Sequence, residues 1–223
     1  VQVNALTTNQ ARSLGTLQSS TLSGNQVQAL SVNAVKSLTT DALTSINITV
    51  LPSFTTTQIN NLSSNQFQAL TTRQIVALST SQVANLGTLQ SSTLTSTQVM
   101  AMEATDLSKM NTASFVVMMT DAIANLVATQ INALSTTQLV SLTTMQAASL
   151  TVLSTQAVAA ISSSALPNLK VTQLNSLTST QVRALTTGQI VALVTSQMSG
   201  LGGVQAAYLS GTQVSSMETV DLV

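Results

Sequence analysis

Residues 63–86 read SSNQFQALTTRQIVALSTSQVANL. Leu70, Leu78 and Leu86 stand eight apart, and so do Gln66, Gln74 and Gln82. Each Gln is followed by an apolar residue, Phe67, Ile75 or Val83. Each lies three residues after a hydroxyl, Ser63, Thr71 or Ser79. Ser/Thr-x-x-Gln is the capping-box signature of a helix start. The cap hydroxyl takes an orphan N–H of the first turn, and the Gln side chain reaches back to the cap N–H. The apolar residue before the cap and the one after the Gln are placed as a hydrophobic staple.

The same octad fills the chain. A large apolar residue recurs every eight positions from Leu6 to Leu150, slips by three to Leu153, and resumes from Ile161 to Met217. With that residue as position 1, position 2 is the cap, position 5 the Gln, position 6 apolar and position 8 small. Strand alternation fails, because positions 1, 6 and 8 lie on both faces of a strand. A continuous helix fails because eight drifts from the 3.6-residue turn and the paired hydroxyls are poor helix formers. The pattern predicts an all-α solenoid of very short capped helices, one per octad, with a β-solenoid as runner-up. Such helices are too short to persist alone and need stacked neighbours. Two octads per coil is the expected arrangement.

A longer period overlies the octad. Residues 69–107 match 184–222 at an offset of 115, with more than half the positions identical. The expected organisation is one continuous repeat region, 1–223, made of two long units at about 1–108 and 109–223. Pro52 and Pro167 fall in equivalent Gln-less octads, INITVLPS and ISSSALPN, which are expected to break or kink the spiral because proline disfavours helix before it. The slip at 150–153 is expected to be a local bulge. The chain starts at Val1 and both starts and ends inside the pattern, which reads as a piece of something longer.

Composition excludes several functions. Charged residues are 5% of the chain, against about 25% in ordinary domains. Six Lys and Arg over 223 residues supply no basic footprint for nucleic acid or anionic lipid. No apolar run approaches the roughly 18 residues of a membrane span. The absence of Cys and His removes thiol chemistry, imidazole metal sites and the usual general base. No catalytic residue and no cofactor is expected. Glu103 with Asp106, and Glu218 with Asp221, are equivalent carboxylate pairs and the candidates for Ca²⁺. Two carboxylates fall short of the six to eight oxygens Ca²⁺ takes, and the plainer reading is a helix-start role. Asn47-Ile48-Thr49 and Asn61-Leu62-Ser63 match the N-glycosylation pattern. The Met cluster at 100–119 reads as core filler, and Tyr208 at position 8 as partly exposed.

LTTGQIVAL at 185–193 looks like the opening of the transcription-activator-like effector repeat. That family's base-reading loop and basic stripe are missing, so no DNA binding is carried over. As a whole, the Thr/Ser/Gln-rich, Cys-free repetition is similar to repeat regions of very large secreted bacterial surface proteins of the adhesin, haemagglutinin-like and repeats-in-toxin kinds. That resemblance implies an extracellular structural role. The expected role is a rod or filament, serving as stalk or filament body, and a solenoid whose ends look like its middle lacks polar caps, so end-to-end self-association is expected. The alternative is a glycan- or ice-binding module built on a regular Thr/Ser array, with a glycan or cell surface as partner.

Overall fold

The computed structural model describes residues 6–141, 155–159, 161, 163–164 and 166–217. All of its regular elements are helices of three to six residues. The chain divides into two compact units, Val1–Met119 and Thr120–Val223. The slip at 150–153 lies outside the described residues.

Each helix starts where the octad places it. Thr55, Ser63, Thr71 and Ser79 sit in extended backbone, and each accepts a hydrogen bond from the N–H of the Gln three residues on. Each Gln returns the bond, with Oε1 accepting from the cap N–H at 2.7 to 3.1 Å. Where the cap lacks a hydroxyl, as at Gly15, Val127, Lys170 and Val194, the return bond alone is made. The two staple positions are buried together: Leu62 and Phe67, Leu70 and Ile75, Leu78 and Val83.

The coil holds three octads, and the expected two is corrected. In the first unit Ser64–Ala69 packs on Thr88–Thr93, Thr72–Val76 on Ser96–Ala101, and Thr80–Ala84 on Ala104–Lys109. Each pair starts 24 residues apart, which is three octads. In the second unit Ser179–Ala184 packs on both Thr155–Ala159 and Gly203–Tyr208, and Thr187–Val191 packs on Gly211–Ser216. The backbone gives the reason. Tight reversal after a helix commonly uses a left-handed residue, and no residue with positive φ occurs among those described. The corners are instead two extended residues, such as Leu30 (φ −61°, ψ 133°) and Ser31 (φ −64°, ψ 154°). These turn the chain by less than a reversal, so three are needed per circuit.

The proline octads also differ from expectation. Ile48–Ser53 is a 3-10 helix with Pro52 inside it, and Leu51 is buried in the core. Leu166–Asn168 is the equivalent 3-10 turn, with Leu166 buried. Neither octad leaves the stack. A 3-10 turn needs fewer residues per turn and fits proline where the preceding residues have not closed a full α turn.

Within each unit the interior is a narrow column of position-1 and position-6 side chains, with Phe67 and Phe115 fully buried. Spin labels test the coil directly. A pair at Thr57 and Ser81, both exposed and 24 residues apart, is expected at about one interhelix spacing, ~10 Å between backbones. A pair at Thr57 and Arg73 is expected to be farther apart; the reverse order would restore two octads per coil.

Candidate functional site

Among the described residues the feature with chemistry is the buried glutamine ladder. Gln58, Gln66, Gln74, Gln82, Gln90 and Gln98 are all at most 4% exposed. With Oε1 committed to the cap N–H in most of them, Nε2 points into the preceding coil. Gln58 Nε2 donates to the carbonyls of Val27 (3.0 Å) and Leu30 (2.7 Å). Gln66 does so to Val35 and Leu38, Gln74 to Leu43 and Ile46, and Gln82 to Leu51 and Phe54. The spacing is 31 and 28 residues each time. The second unit repeats it, with Gln189 on Val158 and Ile161, Gln197 on Leu166 and Leu169, and Gln213 on Val182 and Leu185.

One side chain thus joins two helix ends. It satisfies an orphan N–H at the start of its own helix and serves two carbonyls at the end of a helix four octads earlier. One of the two, such as that of Val27, also accepts the backbone N–H three residues on; leaving the other, such as that of Leu30, buried without a partner would cost more than a made bond returns. The proline octads stay in place for the same reason: the carbonyls of Leu51 and Leu166 are clamped like any others.

Where the octad varies, other donors fill in. Gly87 has no side-chain cap, and its N–H donates to Asn60 Oδ1 while Asn60 Nδ2 donates to the Asn85 carbonyl. Asn175 makes the same pair of bonds with Gly202 and Gly200, each 115 residues on. In the Gln-less octad 110–117, Asn111 Nδ2 donates to the carbonyls of Ala84 and Leu86, and Ser114 Oγ also donates to Leu86. Octads 30–53 carry Ala34, Ala42 and Val50 at position 5, so the coil before them is not clamped from that side. Gln10 and Gln18 in that first coil are exposed, and Gln26 is half-buried.

The residues singled out in the sequence are dispersed. Glu103 caps its helix by position alone, exposed and with no side-chain cap bond. Asp106 is buried at 6% exposure and accepts from Thr80 Oγ1 at 2.6 Å, a bond between coils. Its helix-start reading therefore omits the contact that holds it. Glu218 and Asp221 lie outside the described residues. Among the described residues no group of three or more His, Cys, Asp or Glu gathers where a metal ion would sit. No helix of the described residues is long and apolar enough to cross a membrane. Asn47, Ile48 and Thr49 are exposed, and Asn47 Oδ1 accepts from both the N–H and the hydroxyl of Thr49. Leu62 of the second glycosylation pattern is in the core, and Asn61 Nδ2 is spent on the Thr57 carbonyl. Tyr208 is half-exposed. The second role of Gln was not read from the sequence; the recurrence of Asn60 and Gly87 as Asn175 and Gly202 was its available signal.

The family model for the ALTTAQ repeat matches residues 51–80 and 158–195, one stretch in each unit. No curated protein matches the chain. The chain is a repeat protein whose short helices are joined coil to coil by buried amides.

Two substitutions at one rung separate packing from hydrogen bonding. Gln82→Met keeps the volume but orphans the Ser79 N–H and the Phe54 carbonyl and removes one of two bonds to the Leu51 carbonyl, and is expected to cost about 2–4 kcal/mol in denaturant unfolding. Gln82→Glu sets a carboxylate against the same two carbonyls, which raises its folded pKa above the ordinary ~4.3. A raised folded pKa means stability present at low pH and lost as pH rises through that value. Melting curves are therefore expected to recover toward wild type on acidification, and a pH-independent deficit would contradict the geometry.

Proposed function

We propose that the chain is a structural repeat protein: the stalk or filament body of a secreted bacterial surface protein, extracellular and without catalytic activity. The observation that carries this reading is the clamp itself. It is spent on joining one coil to the next, and the same unit can be repeated to any length without a new design. The near absence of charge and of reactive side chains suits a spacer better than a reaction site. Self-association follows from the stacking itself: a coil of the same kind is the complement of a coil face, and a head-to-tail contact of this type extends into filaments.

Sedimentation and electron microscopy over a concentration series test it. The expected result is end-to-end growth with concentration while helix content is kept. A wild-type chain that stays monomeric throughout would overturn the filament reading. Labelling intact cells with an antibody to the repeat tests the location, and signal confined to permeabilised cells would overturn it.

A second reading, a glycan- or ice-binding surface, draws on one column. Thr16, Thr40, Ser64, Thr88 and Thr112 stand 24 residues apart at the first position of every third helix, one per coil, all with hydroxyls. The other two columns are interrupted by Val32 and Ala104, and by Gly24 and Ile48. Replacing Thr40 and Thr88 by Ala is expected to abolish glycan or ice binding with the melting curve unchanged; binding that survives removes this reading.

A further inference from the structure

Two departures from the octad coincide in one place. Met102, Met110 and Met118 begin three successive octads, at the position that is Leu, Ile or Phe in every earlier octad. The same three octads carry Asp106, Ser114 and Ala122 where the clamp Gln belongs. The second long unit opens the equivalent octad with Met217 and places Asp221 at its fifth position, 115 residues from Met102 and Asp106. The pairing of Met with loss of Gln is therefore copied with the unit.

The three corner thioethers are buried, at 5%, 3% and 3% exposure. Met100 and Met119, which flank them, are 46% and 42% exposed. Methionine is the most adaptable core side chain, with three rotatable bonds and no branching. The seam below it is held by Thr80 to Asp106 and by Asn111 and Ser114 to the carbonyls of Ala84 and Leu86. These bonds come from side chains shorter than Gln, and only Asn111 joins a helix start, through the Ser114 N–H, to two carbonyls of the helix below. Local opening is cheapest where such ties are fewest.

We propose that the segment 102–119 forms an oxidation-sensitive joint, in which Met102, Met110 and Met118 are the modification sites for two-electron oxidants of the peroxide class. The thioether sulfur attacks one peroxide oxygen, the O–O bond breaks, and a sulfur–oxygen bond forms. Sulfur is oxidised by two electrons, and the peroxide is reduced, leaving as water with the remaining oxygen. The sulfoxide is polar and cannot return to an apolar corner without a hydrogen-bond donor, so the coil loosens there while Gln-clamped coils elsewhere stay folded. Met100 and Met119 react first and without structural consequence, because both already face solvent. A sulfoxide reductase would restore the joint.

The test is hydrogen peroxide titration of the full chain, with each methionine followed by peptide mass spectrometry and helix content by circular dichroism. Met100 and Met119 sulfoxides are expected first, with no loss of signal. Modification of Met102, Met110 and Met118 is expected next, together with a partial loss of helix and a lower melting temperature. The variant M102L/M110L/M118L is expected to keep its helix content at the same dose. Equal loss in that variant, or corner methionines that oxidise with no structural change, would overturn the proposal. So would corners that stay intact at doses that unfold the chain. If the triple variant does not fold, Met110→Leu alone is read the same way, by its smaller loss at equal dose.

Discussion

Everything in this fold depends on one amide. A helix of five or six residues has more unsatisfied backbone groups at its ends than hydrogen bonds within it, so it does not persist in isolation. The Gln at the third helical position resolves both ends together. Its oxygen takes an N–H at the start of one helix, and its nitrogen serves carbonyls at the end of another, in the coil before. The helix can then be as short as the start signal allows. The chain needs no long elements, no charge and few aromatics, because order comes from many identical joints and not from a large core.

The octad was legible because helix starts are local. Cap, return bond and staple lie within six residues, and residues 63–86 declare all three. The number of octads per coil was not legible. It is set by how far two extended residues turn the chain, as at Leu30 and Ser31, and no residue type marks that angle. The proline octads misled for a related reason. Pro52 states what its own backbone cannot do, whereas the hold on Leu51 comes from Gln82, which is 31 residues away. A reading confined to one octad sees the loss of the local Gln and misses the distant one that replaces it.

Candidate sites fared according to the same division. Asp106 at a helix start was assigned by position, but its partner is Thr80 in another coil. The Asn60–Gly87 pair, repeated as Asn175–Gly202, was present in the sequence as a correlated change and only acquires meaning at a separation of one coil. Variation in this protein is thus compensated across coils more than within octads. The coils that depart most, those beginning at Leu30 and at Met102, are the ones whose own glutamines are missing from the tie to the coil before.

The central claim is that the glutamine amide is a bond between coils and not merely a cap. Hydrogen exchange of the glutamine side-chain amides, resolved by nuclear magnetic resonance, tests it most directly. The account predicts slow exchange at Nε2 of Gln58, Gln66, Gln74 and Gln82, and solvent-like exchange at Gln10 and Gln18, which make the same caps but have no such bonds. Uniformly fast exchange at all six would contradict it.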